Sequence, residues 1–442
     1  MTPRAVRGPV TRALLTAGLV LVGLGSFPSL AGAHAVLLTS TPGWGAVLGA
    51  SPRSITLAYS QDVVPRFARV AVVTPRGEDL AGAPEASGSQ VVVPVRAGPA
   101  GSYTVRWQMV AVADGHVTQG AYSFGVRAKP LPPAPASGLV VPVLPELLAW
   151  LQFLGVVLTG GVLTFRALVS APAARRLRDQ AEREAQATIG VAVLGAALAL
   201  HAGLFGFLVG AYPIVGGGLP NLVNTQIIPI RVATHLGQAW TLTTFAWLGV
   251  LALLVAAWVT PRRREPLLAG AGLLSLLIAF GISWASHPAA RGTPALAADY
   301  AHLLGGALWV GGVVALAILA IVGRSASRPG RDALLRECLL RFSRLVVPIV
   351  IVLAIAGAYV ALRELPSPAA VLSTGFGIML LVKTTVFMGA LGVGGYHRRS
   401  VVPRIAAGAP VAGLRRTLAL EASLLLVALA LAATLSQVAP PR

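Results

Sequence analysis

Eight apolar runs, each long enough to cross a lipid bilayer, follow one another from about residue 140 to near the C-terminus. They lie at 144–165, 188–211, 239–260, 266–286, 298–323, 342–362, 375–396 and 417–437. Their length sets the architecture: backbone polar groups inside hydrocarbon must be satisfied within each segment, which favours helices. An α-helical membrane domain of eight spans, residues 144–437, is therefore expected. The composition agrees, at 55% hydrophobic, 11% charged and a mean hydropathy of +0.76.

The formal net charge is +20, and Lys129 and Lys383 are the only lysines. In a soluble chain such a balance would suggest nucleic acid. Here the arginines sit in short stretches between apolar runs. Arg166, Arg175, Arg176, Arg178 and Arg183 follow the first run, Arg262, Arg263 and Arg264 the third. Arg324, Arg328, Arg331, Arg336, Arg341 and Arg344 follow the fifth, and Arg398, Arg399, Arg404, Arg415 and Arg416 the seventh. The even connections hold only Arg231, Arg291 and Arg363. Positive charge stays on the cytoplasmic side, so the odd connections are expected inside and everything before the first span outside. The expected partner is a lipid bilayer, and no nucleic acid. The single cysteine, Cys338, rules out a disulfide within the chain.

The N-terminus supports the same orientation. Arg4, Arg7 and Arg12 precede the short apolar run "ALLTAGLVLVGLG", then "SFPS" and Ala31-Gly32-Ala33. That is the layout of a secretory signal peptide over residues 1–33, and cleavage after Ala33 would make His34 the first residue.

Residues 34–128 change character. Runs of period two appear at "SITLAYS" (54–60), "ARVAVVTP" (68–75), "SQVVVPVRA" (89–97), "GSYTVRWQMV" (101–110) and "GAYSFGVRA" (120–128). Tyr103, Val105 and Trp107 share one face. Closely spaced runs of this kind read as an all-β sandwich. "KPLPPAPASG" opens a stiff, proline-rich linker over 129–143.

Between the last two β runs stands "VADGHVTQG". In extended backbone Asp114 and His116 point to the same side. A freed His34 adds its α-amine and its imidazole Nδ1, and such a nitrogen-rich set with one carboxylate oxygen suits Cu(II). Metal must displace the proton of the amine, so affinity should fall in acid. The other reading is that Asp114-Gly115 forms a turn and His116 is merely exposed.

Ionisable groups in the spans are costly and mark pathways or partners. His201 lies mid-span; His235, His287 and His302 lie toward the outer side, with Asp299 just before His302. Lys383 lies about seven residues into the seventh run. These five, His201, His235, His287, His302 and Lys383, form the candidate path through the membrane. His397 is expected in the cytoplasm beside Arg398, and Glu421 is expected to pair with cytoplasmic arginines. Gly305, Gly306, Gly311 and Gly312 predict that the fifth span is a closely packed central helix.

The stretches "HAVLLTSTPGWGAVLGASPRSITLAYSQDV" and "GSYTVRWQMVAVADGHVTQGAYSFGV" resemble the CopC family of copper-binding proteins. The resemblance implies an immunoglobulin-like or cupredoxin-like sandwich, with Cu(II) held by His34, Asp114 and His116. With only Met109 in this region, a methionine-rich Cu(I) site of the kind some members carry is not expected. "SHPAARGTPALAADYAHLLGGALWVGGVVALA", "RFSRLVVPIVIVLAIAGAYVAL", "LSTGFGIMLLVKTTVFMGALGVGGYHRR" and "LRRTLALEASLLLVALALAA" resemble the CopD family of copper-resistance and copper-transport membrane proteins. "GFG" stands where that family often has a Tyr-Gly pair. Together the two resemblances imply a multi-pass protein of the cell membrane that binds copper ions outside and transfers them inward. No Walker motif or aspartyl-phosphate loop is present, so facilitated import is expected and an enzyme is not. Two other readings stay open: a haem-binding electron carrier or copper reductase, since histidines on neighbouring spans can ligate haem, and a copper-tolerance module that binds without transporting. The sequence leaves the oligomeric state open.

Overall fold

The computed structural model describes residues 37–112, 117–131, 143–175, 178–215, 232, 234–322, 328–411 and 414–438. It builds two regions, a β-sandwich and a helical bundle. The sandwich has eight strands: β1 (Leu37–Thr41), β2 (Val47–Leu48), β3 (Ser54–Tyr59), β4 (Arg69–Val73), β5 (Glu85–Ser87), β6 (Gln90–Pro94), β7 (Gly101–Val110) and β8 (Val117–Val126). One sheet has the order β1-β3-β6-β5 and the other β2-β8-β7-β4. All pairs are antiparallel except β2 with β8.

Alternation explains the core. Ile55, Leu57 and Tyr59 of β3 and Val91 and Val93 of β6 turn inward from one sheet. Val72, Tyr103, Val105 and Phe124 meet them from the other. Tyr103 stacks on Phe124 with ring centroids 5.2 Å apart, and Trp107 meets Tyr59 edge-on at 5.4 Å. The long β7–β8 hairpin pairs in register from Gly101↔Val126 to Val110↔Val117.

Among the described residues eight helices are long and apolar enough to cross a membrane: α1 (Glu146–Ala174), α2 (Glu184–Val209), α3 (Leu236–Val259), α4 (Pro261–Trp284), α5 (Thr293–Ala320), α6 (Asp332–Glu364), α7 (Gly375–Ala406) and α8 (Arg416–Gln437). The first runs well past Arg166, through two wide turns of π type at Val157–Gly161 and Arg166–Ser170. Arg166 stays buried there because it pairs with Glu184 of α2 and, at 2.6 Å, with Glu265 of α4. A neighbouring bridge joins Arg264 to Glu182 at 2.5 Å, which holds the Glu182 carboxyl below its ordinary range.

The fifth helix is central, as its glycines predict. A Cβ on Gly161 of α1 would run into the Ala307 carbonyl, and one on Gly311 would lie 2.6 Å from the Gly161 Cα. Gly305 lets Leu353 of α6 approach, and Gly312 faces the Phe342 ring. Absent side chains bring the backbones together, and dispersion then holds the helices.

Candidate functional site

His34, Asp114 and His116 lie outside the described residues, as do the signal-peptide stretch 1–33 and residues 132–142 of the linker. What flanks Asp114–His116 is described. Val112 N–H donates to the Asp62 carbonyl at 3.0 Å, and Val64 N–H donates to the Val110 carbonyl at 2.8 Å. Val64, Phe67, Val110, Val112 and Val117 form an apolar patch at this end of the sandwich. The patch packs on Phe207 and Leu208 of α2 and Trp240 of α3, where Phe207 and Trp240 stack with centroids 4.3 Å apart. So the residues on both sides of Asp114–His116, Val112 and Val117, belong to the same apolar cluster as these bundle side chains.

The bundle end under that contact carries a polar cluster. Gly281 of α4 packs against Thr243 of α3, less than one turn below Trp240. Beyond it come Ser283, Ser286 and His287, where α4 turns into α5. Ser286 donates to Asp299 Oδ2 at 3.0 Å. Lys383 of α7 is half-buried and lies within electrostatic reach of both Asp299 and His302. Counted from the starts of α5 and α7, His302 and Lys383 sit at similar depths, about 12–14 Å in at helical rise. His302 Nδ1 lies 2.9 Å from the Leu353 carbonyl of α6. A carbonyl only accepts, so Nδ1 carries the proton and Nε2 keeps its lone pair. The imidazole fits because Gly357 has no side chain; a Cβ there would lie 2.6 Å from His302 Cε1. One further pair closes the cluster, Arg291 with Glu364 at 2.9 Å, and Glu364 is buried.

The expected path residues therefore divide. Asp299, His302 and Lys383 come together, and His287 is buried in the adjoining turn. His201 does not join them: it is exposed on the bundle surface, its Nδ1 bonded to the Ala197 carbonyl one turn back at 2.7 Å. His235 opens the helix that carries Trp240, and its side chain lies outside the described residues. Among the described residues no three His, Cys, Asp or Glu side chains converge to hold a metal ion. The cluster is thus a polar layer that holds an ion pair and two imidazoles, not a closed coordination cage.

Arg291, Glu364, Ser283 and Ser286 were not singled out from the sequence. Arg291 and Glu364 are 73 positions apart, and no local pattern joins them. At the opposite end of the bundle one expectation fails. His397, beside Arg398, is buried between helices, and Glu421 pairs with it at 2.9 Å, not with arginines.

Comparison with known proteins matches three family models to this chain: CopC domain at residues 37–127, Copper resistance protein D-like, N-terminal domain, at 143–295, and Copper resistance protein D at 336–435. The chain is a CopC–CopD fusion. Protein YobA of Escherichia coli is 36% identical over 100 residues, which span 22% of this fusion and 80% of YobA. Protein YobA of Shigella flexneri matches to the same extent. Among solved structures, CopC from Methylosinus trichosporium is 21% identical and aligns over 23% of the fusion and 99% of that chain, with a TM-score of 0.20. The fusion is a multi-pass membrane protein with a role in copper resistance or transport.

Proposed function

We propose that the fusion imports copper, capturing Cu(II) on the sandwich and passing it through the polar layer of the bundle. The capturing ligands are the His34 amine and imidazole, the Asp114 carboxylate and the His116 imidazole. Export and cleavage of residues 1–33 create the amine, so the site is completed only outside the cytoplasm, where the sandwich sits on the cell membrane. The observation that carries the reading is the apolar cluster that joins Val64, Phe67 and Val110 of the sandwich, with Val112 and Val117 packed against it, to Phe207, Leu208 and Trp240 of the bundle. It supports capture at the mouth of the bundle, so that release and recapture occur within one molecule.

In the layer beneath, His302 Nε2 is the first nitrogen ligand, and Asp299 supplies negative charge. Lys383 balances Asp299 when no ion is present, and an arriving copper ion takes its place as the counter-charge. No step is enzymatic; the chain binds, releases and shields a cation. The test is copper uptake into proteoliposomes by the wild type and by His302→Ala. Strong uptake by the first and little by the second supports the reading, whereas equal uptake removes His302 from the path.

A further inference from the structure

The half of the bundle away from the sandwich holds a buried group with no part in the path just described. Glu421 of α8 is 3% exposed and His397 of α7 is 5% exposed. Trp309 Nε1 donates to Glu421 Oε1 at 3.2 Å, and His397 Nδ1 lies 2.9 Å from Glu421 Oε2. The imidazole Nε2 is buried and has no hydrogen-bond partner in the structure. Gly394, one turn before His397, leaves room for the carboxyl: a Cβ there would lie 3.2 Å from Glu421 Oε1.

Charge makes this arrangement unstable in one state and content in another. Glu421 accepts from two N–H groups, as a carboxylate does. With His397 neutral, the site keeps an uncompensated negative charge in a low-dielectric interior, and that is costly. A proton on Nε2 turns the pair into a neutral ion pair. The surrounding cations are engaged or turned away: Arg398 donates to the Ser343 carbonyl of α6 at 2.7 Å, Arg341 pairs with Glu337 at 2.6 Å, and Arg344, Arg399 and Arg416 are exposed. Among the described residues, His397 is the one ion-pair partner of Glu421.

We propose that Trp309, Glu421 and His397 form a proton-binding site, with His397 Nε2 as the atom that gains and loses the proton. Its ligand is a proton from water at the near membrane face. The Nε2 lone pair takes it, Glu421 holds the imidazolium through Nδ1–H, and Trp309 fixes the carboxylate. Trp309 shares α5 with Asp299 and His302, and His397 shares α7 with Lys383. The same two helices thus carry the copper-facing layer and this site. On the import reading above, on which this last step rests, the proton taken up at the near face leaves on the copper-facing side as copper enters, so that one positive charge moves out for charge carried in.

The binding claim is tested without transport. Nitrogen-15 histidine spectra of the full chain in detergent, over about pH 5 to 9, report each ring nitrogen. The His397 signals, identified by their loss in His397→Gln, should show Nδ1 protonated throughout and Nε2 gaining a proton as pH falls. In Glu421→Gln, which keeps the side-chain shape and serves where His397→Gln does not fold, His397 should stay neutral over that range. A wild-type Nε2 that never titrates, or titration unchanged in Glu421→Gln, overturns the proposal. Proteoliposomes loaded with a pH dye then test coupling. Copper entry should raise the internal pH in the wild type and leave it unchanged in His397→Gln; equal proton movement in both overturns the coupling. If the wild type carries no copper at all, the import reading fails, and the titration result stands separately.

Discussion

Replacing Phe207 with alanine should undock the sandwich from the bundle without unfolding either. The ring is 3% exposed, stacked on Trp240 and clustered with Val64, Phe67 and Val110 of the sandwich. An aromatic side chain buries about 200 Å², and taking half of that as facing the sandwich leaves about 100 Å² at stake. At about 25 cal/mol/Å² the docked state loses about 2.5 kcal/mol, or roughly 60-fold in its population ratio. The linker keeps the sandwich tethered, so the outcome is a broadened distribution of positions. Spin labels on Glu85→Cys and Ser367→Cys, both exposed positions, would read it as a distance distribution. The native Cys338 is fully buried and should not compete for label. A single narrow distance in the wild type should become broad in Phe207→Ala, and broader with Trp240→Ala added. The same narrow peak in all three proteins would refute the claim that this apolar contact seats the sandwich.

Two further perturbations probe other parts of the chain. A mature protein with one extra residue before His34 loses the amine ligand and should bind Cu(II) at least about tenfold more weakly, measured by competition with a chromogenic chelator; unchanged affinity would reduce the site to two imidazoles and a carboxylate. Arg166→Met strips the cation from buried Glu184 and from Glu265, and should lower stability by about 3–5 kcal/mol, seen as a lower melting temperature in detergent; an unchanged melt would mean that water reaches these carboxylates.

Much of the architecture was legible because it rests on local periodicity. All five alternating runs are strands, and all eight apolar runs are spanning helices, since each pattern records which face is buried. The strands that escaped notice, β1, β2 and β5, are short: "LLTST" lacks clean alternation, and β2 and β5 have two and three residues. Their pairing comes from neighbours, not from their own pattern. The far end of α1 was missed for a related reason. Arg166 reads as the end of an apolar run, and only glutamates on α2 and α4 make its burial tolerable. Glu421 stands near arginines in the sequence and so reads as their partner, but helix rotation turns it inward to His397. His302 could be singled out as a costly intramembrane group; that its Nε2 is the available nitrogen follows from the Leu353 carbonyl, 51 positions away.

The central claim is that copper crosses the bundle through the layer around His302. Copper accumulated inside proteoliposomes, counted by mass spectrometry after external ion is chelated, tests it most directly. The account predicts accumulation well above empty vesicles for the wild type and a loss of at least about tenfold in His302→Ala, consistent with removal of one liganding nitrogen. Wild-type vesicles that take up no more copper than empty ones would contradict it.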